Sequence, residues 1–294
     1  GAAPSMEGLP KGAQALSLFL VNCRAPGDRG RKDEQYIFQV EMEVGCAEGI
    51  LPRPNRAWEK SGDWDERVAD LHFRDCNEYA VGHGVSVDMA ERDGSRVTKV
   101  NTCWISSSEV KRVQTRSEPG VAVSMDELAQ LGGGQEVYSK LGRLPEAYGE
   151  WIKTQAKTEL DSAERRETRD ILLQKAELAR KRIERGIELL ATDETIRQAF
   201  CLANRAMADS ARKRSPERYV EGRVPEWFLF QLAFVLLNLQ GVADGKHPDR
   251  EAVELIFFPT GGGKTEAYLG VIAFVLALRR LLGARPVAAA GLRR

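Results

Sequence analysis

The chain has 294 residues, of which 43% are hydrophobic, and its 43 lysines and arginines equal its 43 aspartates and glutamates. The hydrophobic share is enough for a sizeable core and excludes wholesale disorder, while the zero formal charge excludes a generally basic, histone-like binder. The length predicts roughly two domains or one large one.

The cysteines exclude a zinc ribbon and a redox pair, because no two of them lie two to four residues apart. His72 and Cys76 are one helical turn apart and could share a metal, but no second half-site follows, so two ordinary side chains are the favoured interpretation. The odd cysteine count and the lack of a recognisable secretory signal predict a cytoplasmic protein with no membrane anchor. The five cysteines are Cys23, Cys46, Cys76, Cys103 and Cys201.

The first part of the chain carries mostly β patterns. Apolar and polar residues alternate over 34–44, 78–89 and 96–106, which predicts three strands. A short helix is predicted over 63–70. Together these patterns indicate a mixed α/β accessory domain over 1–130, within a chain whose overall fold class is α/β.

The middle of the chain, 131–222, is predicted to be a helical region. Before it, Ser124 and Glu127 have the spacing of a helix-capping box, and Gly132 to Gly134 predict a turn. Helical periodicity then predicts a long helix ending near Leu190 and a second helix capped by Thr192 or Asp193. The arginine-rich stretch 205–223 is a weak candidate for contacts with nucleic-acid phosphates, since its net charge is small.

The most specific motif lies in the third region, 223–294. An apolar run of strand length, 251–258, leads into Pro-Thr-Gly-Gly-Gly-Lys-Thr at 259–265, and a helical pattern follows through Leu282. Strand, glycine-rich turn, Lys-Thr and helix in this order are the context of a phosphate-binding loop. The predicted ligands are therefore ATP and Mg²⁺.

Each residue type in this motif has a physical role in the prediction. Glycines allow the backbone to turn its N–H groups toward phosphate oxygens, and the start of the following helix adds a partial positive charge. Lys264 is predicted to reach the β- and γ-phosphates, and the hydroxyl of Thr265 to bind Mg²⁺. The predicted nucleotide-binding residues of the loop are Thr260, Gly261, Gly262, Gly263, Lys264, Thr265 and Glu266, with Lys264 and Thr265 as the catalytic ones.

The run from Phe258 to Gly270, FPTGGGKTEAYLG, resembles the nucleotide-binding motif of the DrmA family, the large superfamily 2 helicases of the DISARM anti-phage system. Two further segments, FQLAF at 230–234 and YAVGHGV at 79–85, are similar to that family. The resemblance implies a RecA-like lobe beginning near residue 223 and ATP-driven helicase or translocase activity on nucleic acid, with DNA favoured over RNA. It also implies a partner protein of the same defence system.

The resemblance also gives Gln231 a role. Superfamily 2 helicases carry a glutamine upstream of the phosphate loop, and its amide can both donate to and accept from an adenine edge. Gln231 fits this position, and a glutamine at the boundary of an amphipathic helix is an equally good interpretation.

Two alternatives to a defence helicase remain open: another class of P-loop NTPase, and a non-catalytic module that docks on a partner or on DNA. About thirty residues follow Lys264, and none after Glu266 is acidic, so the carboxylate that would hold Mg²⁺ from a neighbouring strand is missing. The expectation is a piece of a larger ATPase that binds ATP weakly and does not hydrolyse it alone.

Overall fold

The structure is a computed structural model that describes residues 12–25, 32–53, 63–93, 96–107, 114–220, 222–256 and 263–283. The chain divides into two compact units, Gly1–Lys111 and Arg112–Arg294. The predicted α/β class is confirmed, since one unit carries a sheet and the other is helical. No helix in the described ranges is long and apolar enough to cross a bilayer.

The first unit contains a three-stranded antiparallel sheet. Its strands are β1 (Glu43–Ile50), β2 (Ser86–Asp93) and β3 (Arg96–Cys103), in the order β1–β3–β2, and helix α1 (Trp64–His72) lies between β1 and β2 in the sequence. β3 supplies two buried side chains, Val97 and Val100. Lys99 of the central strand reaches a carboxylate on each neighbouring strand.

Two of the three predicted strands need correction in this unit. The strand predicted over 34–44 begins only at Glu43, and Lys32–Gln35 forms a 3-10 helix instead. Gln39 has a φ of 55°, a left-handed conformation that interrupts an extended chain. The alternation over 78–89 yields a strand only from Ser86, because the chain turns at Gly84, with a φ of 72°. The third predicted strand, 96–106, is confirmed as β3, which ends at Cys103.

The second unit is helical. Its helices are α2 (Met125–Leu128), α3 (Gly134–Leu141), α4 (Arg143–Ala156), α5 (Ala163–Thr192), α6 (Glu194–Arg214), α7 (Leu229–Ala243) and α8 (Lys264–Leu281). Short 3-10 turns span Pro216–Arg218 and Pro248–Glu251. One buried cluster joins these helices, with Phe200 of α6, Leu236 of α7 and Phe274 of α8 among its members.

Sequence signals for the helix starts are largely confirmed. Ser124 accepts a hydrogen bond from Glu127 N at 3.4 Å, and Asp193 accepts one from Ile196 N at 3.0 Å, as N-cap residues do. Glu127 does not complete the predicted capping box, since its carboxylate pairs with Lys140 instead. The long helix predicted to end near Leu190 is α5.

Helices α5 and α7 approach each other closely at Gly186. A Cβ atom on Gly186 would lie 2.1 Å from the carbonyl oxygen of Leu236, so only glycine allows this contact. The predicted helical and nucleotide-binding regions therefore share one packed unit. The ranges 1–130, 131–222 and 223–294 stay predictions as domains.

The strand predicted over 251–258 is wrong where the structure describes it. Pro248–Glu251 is a 3-10 turn, and 252–256 has no regular structure; 257 and 258 lie outside the described residues. The apolar run has no neighbouring strand to pair with in the described residues, and a lone strand is not stable in water. Val253 and Leu255 are consequently 96% and 82% exposed.

Helix α8 has one buried face and one exposed apolar face. Ala267, Gly270, Phe274 and Leu278 pack inward. Leu269, Ile272 and Leu276, which share the opposite side at helical spacing, face solvent with exposures of 39%, 51% and 64%.

Candidate nucleotide-binding site

The start of α7 meets the start of α8 through one glutamine side chain. Gln231 is 3% exposed, and its Nε2 donates to the carbonyl oxygen of Gly263 at 2.7 Å. Its Oε1 accepts from the backbone N–H of Phe228 at 2.8 Å, which is one half of a helix-capping box. Both ends of the amide are thus engaged within the protein.

Gly263 is the N-cap of α8 and needs to be glycine for two reasons. Its φ is 83°, in the left-handed region. A Cβ atom there would also lie 2.6 Å from Nε2 of Gln231. The last glycine of the predicted phosphate loop therefore uses the backbone freedom that only glycine provides, and its position leaves no room for a side chain.

Lys264 and Thr265 are the first two residues of α8, as the motif predicts. Lys264 is half-buried and Thr265 is exposed. Backbone N–H groups in the first turn of a helix lack partners within the helix, and they carry the positive end of its dipole. The three other predicted loop residues, Thr260, Gly261 and Gly262, lie outside the described residues.

Glu266, also a predicted site residue, forms an ion pair with the last residue of α6. Its Oε1 lies 3.1 Å from Nη2 of Arg214, and the two side chains are 28% and 59% exposed. This pair brings one arginine of the basic stretch 205–223 beside the start of α8. Another arginine of this stretch, Arg212, is paired with Asp126 of α2, and this contact raises the pKa of the Arg212 guanidinium.

Trp227 is a buried residue that packs against the helices of the site. Its backbone N–H donates to the carbonyl oxygen of Val123, and its Nε1 donates to Oδ1 of Asn204 at 2.7 Å, deep in the core. A Cβ atom on Gly270 would lie 2.7 Å from the ring, so α8 packs directly on this tryptophan. One side chain thereby joins α6, the segment before α7, and α8.

The predicted contact between Gln231 and adenine stays a prediction. The amide has both the donor and the acceptor that such a contact needs, and in this structure both bind the backbone of Phe228 and Gly263. Contact with a base would require at least one of these bonds to open. The sequence placed Gln231 near the loop but did not indicate its bond to Gly263.

The structure brings no cluster of three or more metal-binding side chains together within the described ranges. The predicted Mg²⁺ ligand, Thr265, stays a prediction. Thr265 is exposed on the first turn of α8.

No family model matches the chain. The chain is 32% identical over 287 residues to the DISARM protein DrmA of Bacillus paralicheniformis. The match includes 90% of this chain and 25% of that protein, so the chain spans about a quarter of the length of the curated relative that it matches. The resemblance to the DrmA family is therefore confirmed, and the chain is homologous to about a quarter of a DISARM protein DrmA.

Proposed function

We propose that this chain binds ATP with Mg²⁺ through residues 260–266 and forms part of an ATP-dependent superfamily 2 helicase or translocase. The observation that carries the proposal is the geometry at Gly263. A left-handed glycine, fixed by Gln231, immediately precedes a helix that starts Lys-Thr. This arrangement suits an anionic ligand, because the backbone N–H groups of the first turn, the positive end of the helix dipole and a lysine all belong to one helix end.

In the proposed site, Lys264 binds the β- and γ-phosphates and Thr265 holds Mg²⁺, which supplies charge neutralisation at those phosphates. Glu266 stays paired with Arg214. The guanidinium offsets the negative charge of this carboxylate, which would otherwise repel the phosphates.

The proposal is tested by titrating the chain with Mg²⁺ and a fluorescent ATP analogue. Replacing Lys264 with alanine removes a charge-assisted contact, so binding should weaken roughly 10- to 100-fold. Lys246→Ala is the matched control, because Lys246 is an exposed lysine outside the motif, and it should bind as the unsubstituted chain does. Equal affinity in all three proteins would refute the assignment of the site.

We further propose that the full protein acts on DNA in the cytoplasm, beside a partner protein of the same anti-phage system. The similarity to a DISARM protein supports this. Filter binding of duplex DNA at increasing salt tests the nucleic-acid part, because each phosphate contact contributes to the slope of log K against log salt. A flat salt dependence would argue against contacts between the basic stretch 205–223 and DNA. DNA binding with no ATP binding would favour a docking module.

A further inference from the structure

Arg182 of α5 lies between two carboxylates of the segment that leads toward residue 257. Its Nε is 2.9 Å from Oδ2 of Asp249, and its Nη1 is 2.6 Å from Oε1 of Glu254. The side chains of Arg182, Asp249 and Glu254 are 21%, 27% and 25% exposed. One guanidinium therefore attaches two points of this segment to a long helix.

The contacts at Arg182 are shielded from water. Nε of Arg182 and Oε1 of Glu254 have almost no accessible surface. Neither atom has a hydrogen bond of acceptable angle in the described part of the chain, so the contacts are charge pairs rather than aligned hydrogen bonds. A charge pair with little water around it interacts more strongly than the same pair on the surface, and loss of one partner leaves a desolvated charge.

The segment has little else to hold it. Residues 252–256 form no strand, and Val253 and Leu255 project into solvent. Among the described residues, the ion pair between Glu254 and Arg182 is the only salt bridge made by residues 252–256. The position of the chain just before residue 257 therefore depends on α5.

On the other side of residues 257–262, the chain is attached to different helices of the same unit. Gly263 accepts a hydrogen bond from Gln231 of α7, and Glu266 pairs with Arg214 of α6. Helices α5 and α7 are in direct backbone contact at Gly186, one turn from Arg182 on α5. The two flanks of 257–262 are thus held by helices that pack on each other.

We propose that Arg182 is a positioning residue for the nucleotide site. It fixes the chain before residue 257 to α5, while Gln231 fixes Gly263 to α7, so the packing of α5 and the affinity of the site for phosphate are energetically coupled. This inference rests on the proposed function. It assigns α5, a helix with no residue of the motif, a role in setting that affinity.

The test uses Arg182→Gln, Glu254→Gln and the double variant, with Arg185→Gln as the matched control. Arg185 lies on the same helix but is exposed. Two readouts are measured on the whole chain: amide hydrogen exchange of 252–256 and 263–266 without nucleotide, and the Kd for Mg²⁺ with a fluorescent ATP analogue. Circular dichroism establishes that each variant keeps its helices.

Arg182→Gln and Glu254→Gln should each accelerate exchange in 252–256 and weaken nucleotide binding by roughly five- to tenfold, the range of modest coupling between sites. The double variant should bind the nucleotide no more weakly than Arg182→Gln does, because both changes break the same contact. Arg185→Gln should change neither readout. Arg182→Lys keeps the charge but lacks the planar fork that reaches two carboxylates, so it should fall between the unsubstituted chain and Arg182→Gln.

Exchange and affinity that stay unchanged in Arg182→Gln, while the unsubstituted chain binds nucleotide, would overturn this inference alone. Equal effects of Arg185→Gln would also overturn it, since they would indicate a general loss of charge on α5. Absence of nucleotide binding by the unsubstituted chain would instead overturn the proposed function and, with it, the role of Arg182 in nucleotide affinity.

Discussion

The two hydrogen bonds of Gln231 can be separated by two substitutions of similar size. Gln231→Met removes both the bond to Gly263 and the bond to Phe228. Gln231→Glu retains an acceptor for the Phe228 N–H but replaces the Nε2 donor, 2.7 Å from the carbonyl oxygen of Gly263, with a second oxygen. Two acceptors would then face each other at a position that is 3% exposed.

The expected magnitudes follow from these contacts. A typical intramolecular hydrogen bond contributes about 0.5–1.5 kcal/mol net, so Gln231→Met should lower the free energy of unfolding by roughly 1–3 kcal/mol. An uncompensated buried charge costs roughly 3–5 kcal/mol, so Gln231→Glu should be the more destabilised variant at pH 7. The nearly isosteric glutamate should therefore lower the free energy of unfolding more than the apolar methionine does.

The pH dependence gives the sharper test. Burial raises the pKa of the introduced carboxyl group above its unfolded value of about 4.3. Below about pH 4.3 the group is protonated in both states, carries no buried charge and can donate to the carbonyl oxygen of Gly263. The penalty therefore appears as the pH rises from about 4.3 through the raised folded pKa, and it is largest above that value.

Urea unfolding followed by circular dichroism between pH 4.5 and 8 measures both effects. Gln174→Glu, on the exposed face of α5, is the control for adding one negative charge, and its stability should change little with pH relative to the unsubstituted chain. If Gln231→Glu is no less stable than Gln231→Met at pH 7, or if its penalty does not grow with pH, the described engagement of the amide is incorrect.

Three further predictions concern the core around the site. Asn204→Ala should lower the free energy of unfolding by about 1–3 kcal/mol, because the Nε1–H of Trp227 loses its buried acceptor. Asn238→Ala removes only a hydrogen bond within its own helix, so it should lower that free energy less in the same urea titration. Gly186→Ala should destabilise the protein by about 1–3 kcal/mol in thermal melts, because the new Cβ atom clashes with the carbonyl oxygen of Leu236. In Gly149→Ala the new Cβ atom meets only a flexible arginine side chain, so this control variant should be as stable as the unsubstituted chain or more stable. Burial raises the pKa of the Cys201 thiol, so at pH 8 iodoacetamide should label Cys201 more slowly than the exposed Cys76, as measured by peptide mass spectrometry, and urea should abolish the difference.

Local patterns in the sequence predicted the helices well and the strands less well. Periodic apolar residues and the caps at Ser124 and Asp193 are local signals, and α5, α6 and α8 follow them. A strand also needs a partner. The apolar run at 251–258 has the composition of a strand but no described neighbour to pair with, and the run at 34–44 is interrupted by the positive φ of Gln39.

The candidate site shows the same division. The motif itself placed Lys264 and Thr265 at the start of a helix, because glycine, lysine and threonine are adjacent in the sequence. The contacts that hold the motif could not be predicted in this way. Gln231 binds a residue 32 positions away and Arg214 one 52 positions away, and Arg182 meets Asp249 and Glu254 only because α5 packs beside α7.

The exposed apolar face of α8 also affects the solubility of the chain. Leu269, Ile272 and Leu276 present apolar area to water, and so do Val253 and Leu255 elsewhere in the same unit. The formal charge is zero at pH 7, so repulsion between molecules is weakest at neutral pH. The chain should therefore be least soluble near pH 7, and light scattering should fall when the buffer is moved a pH unit or two to either side.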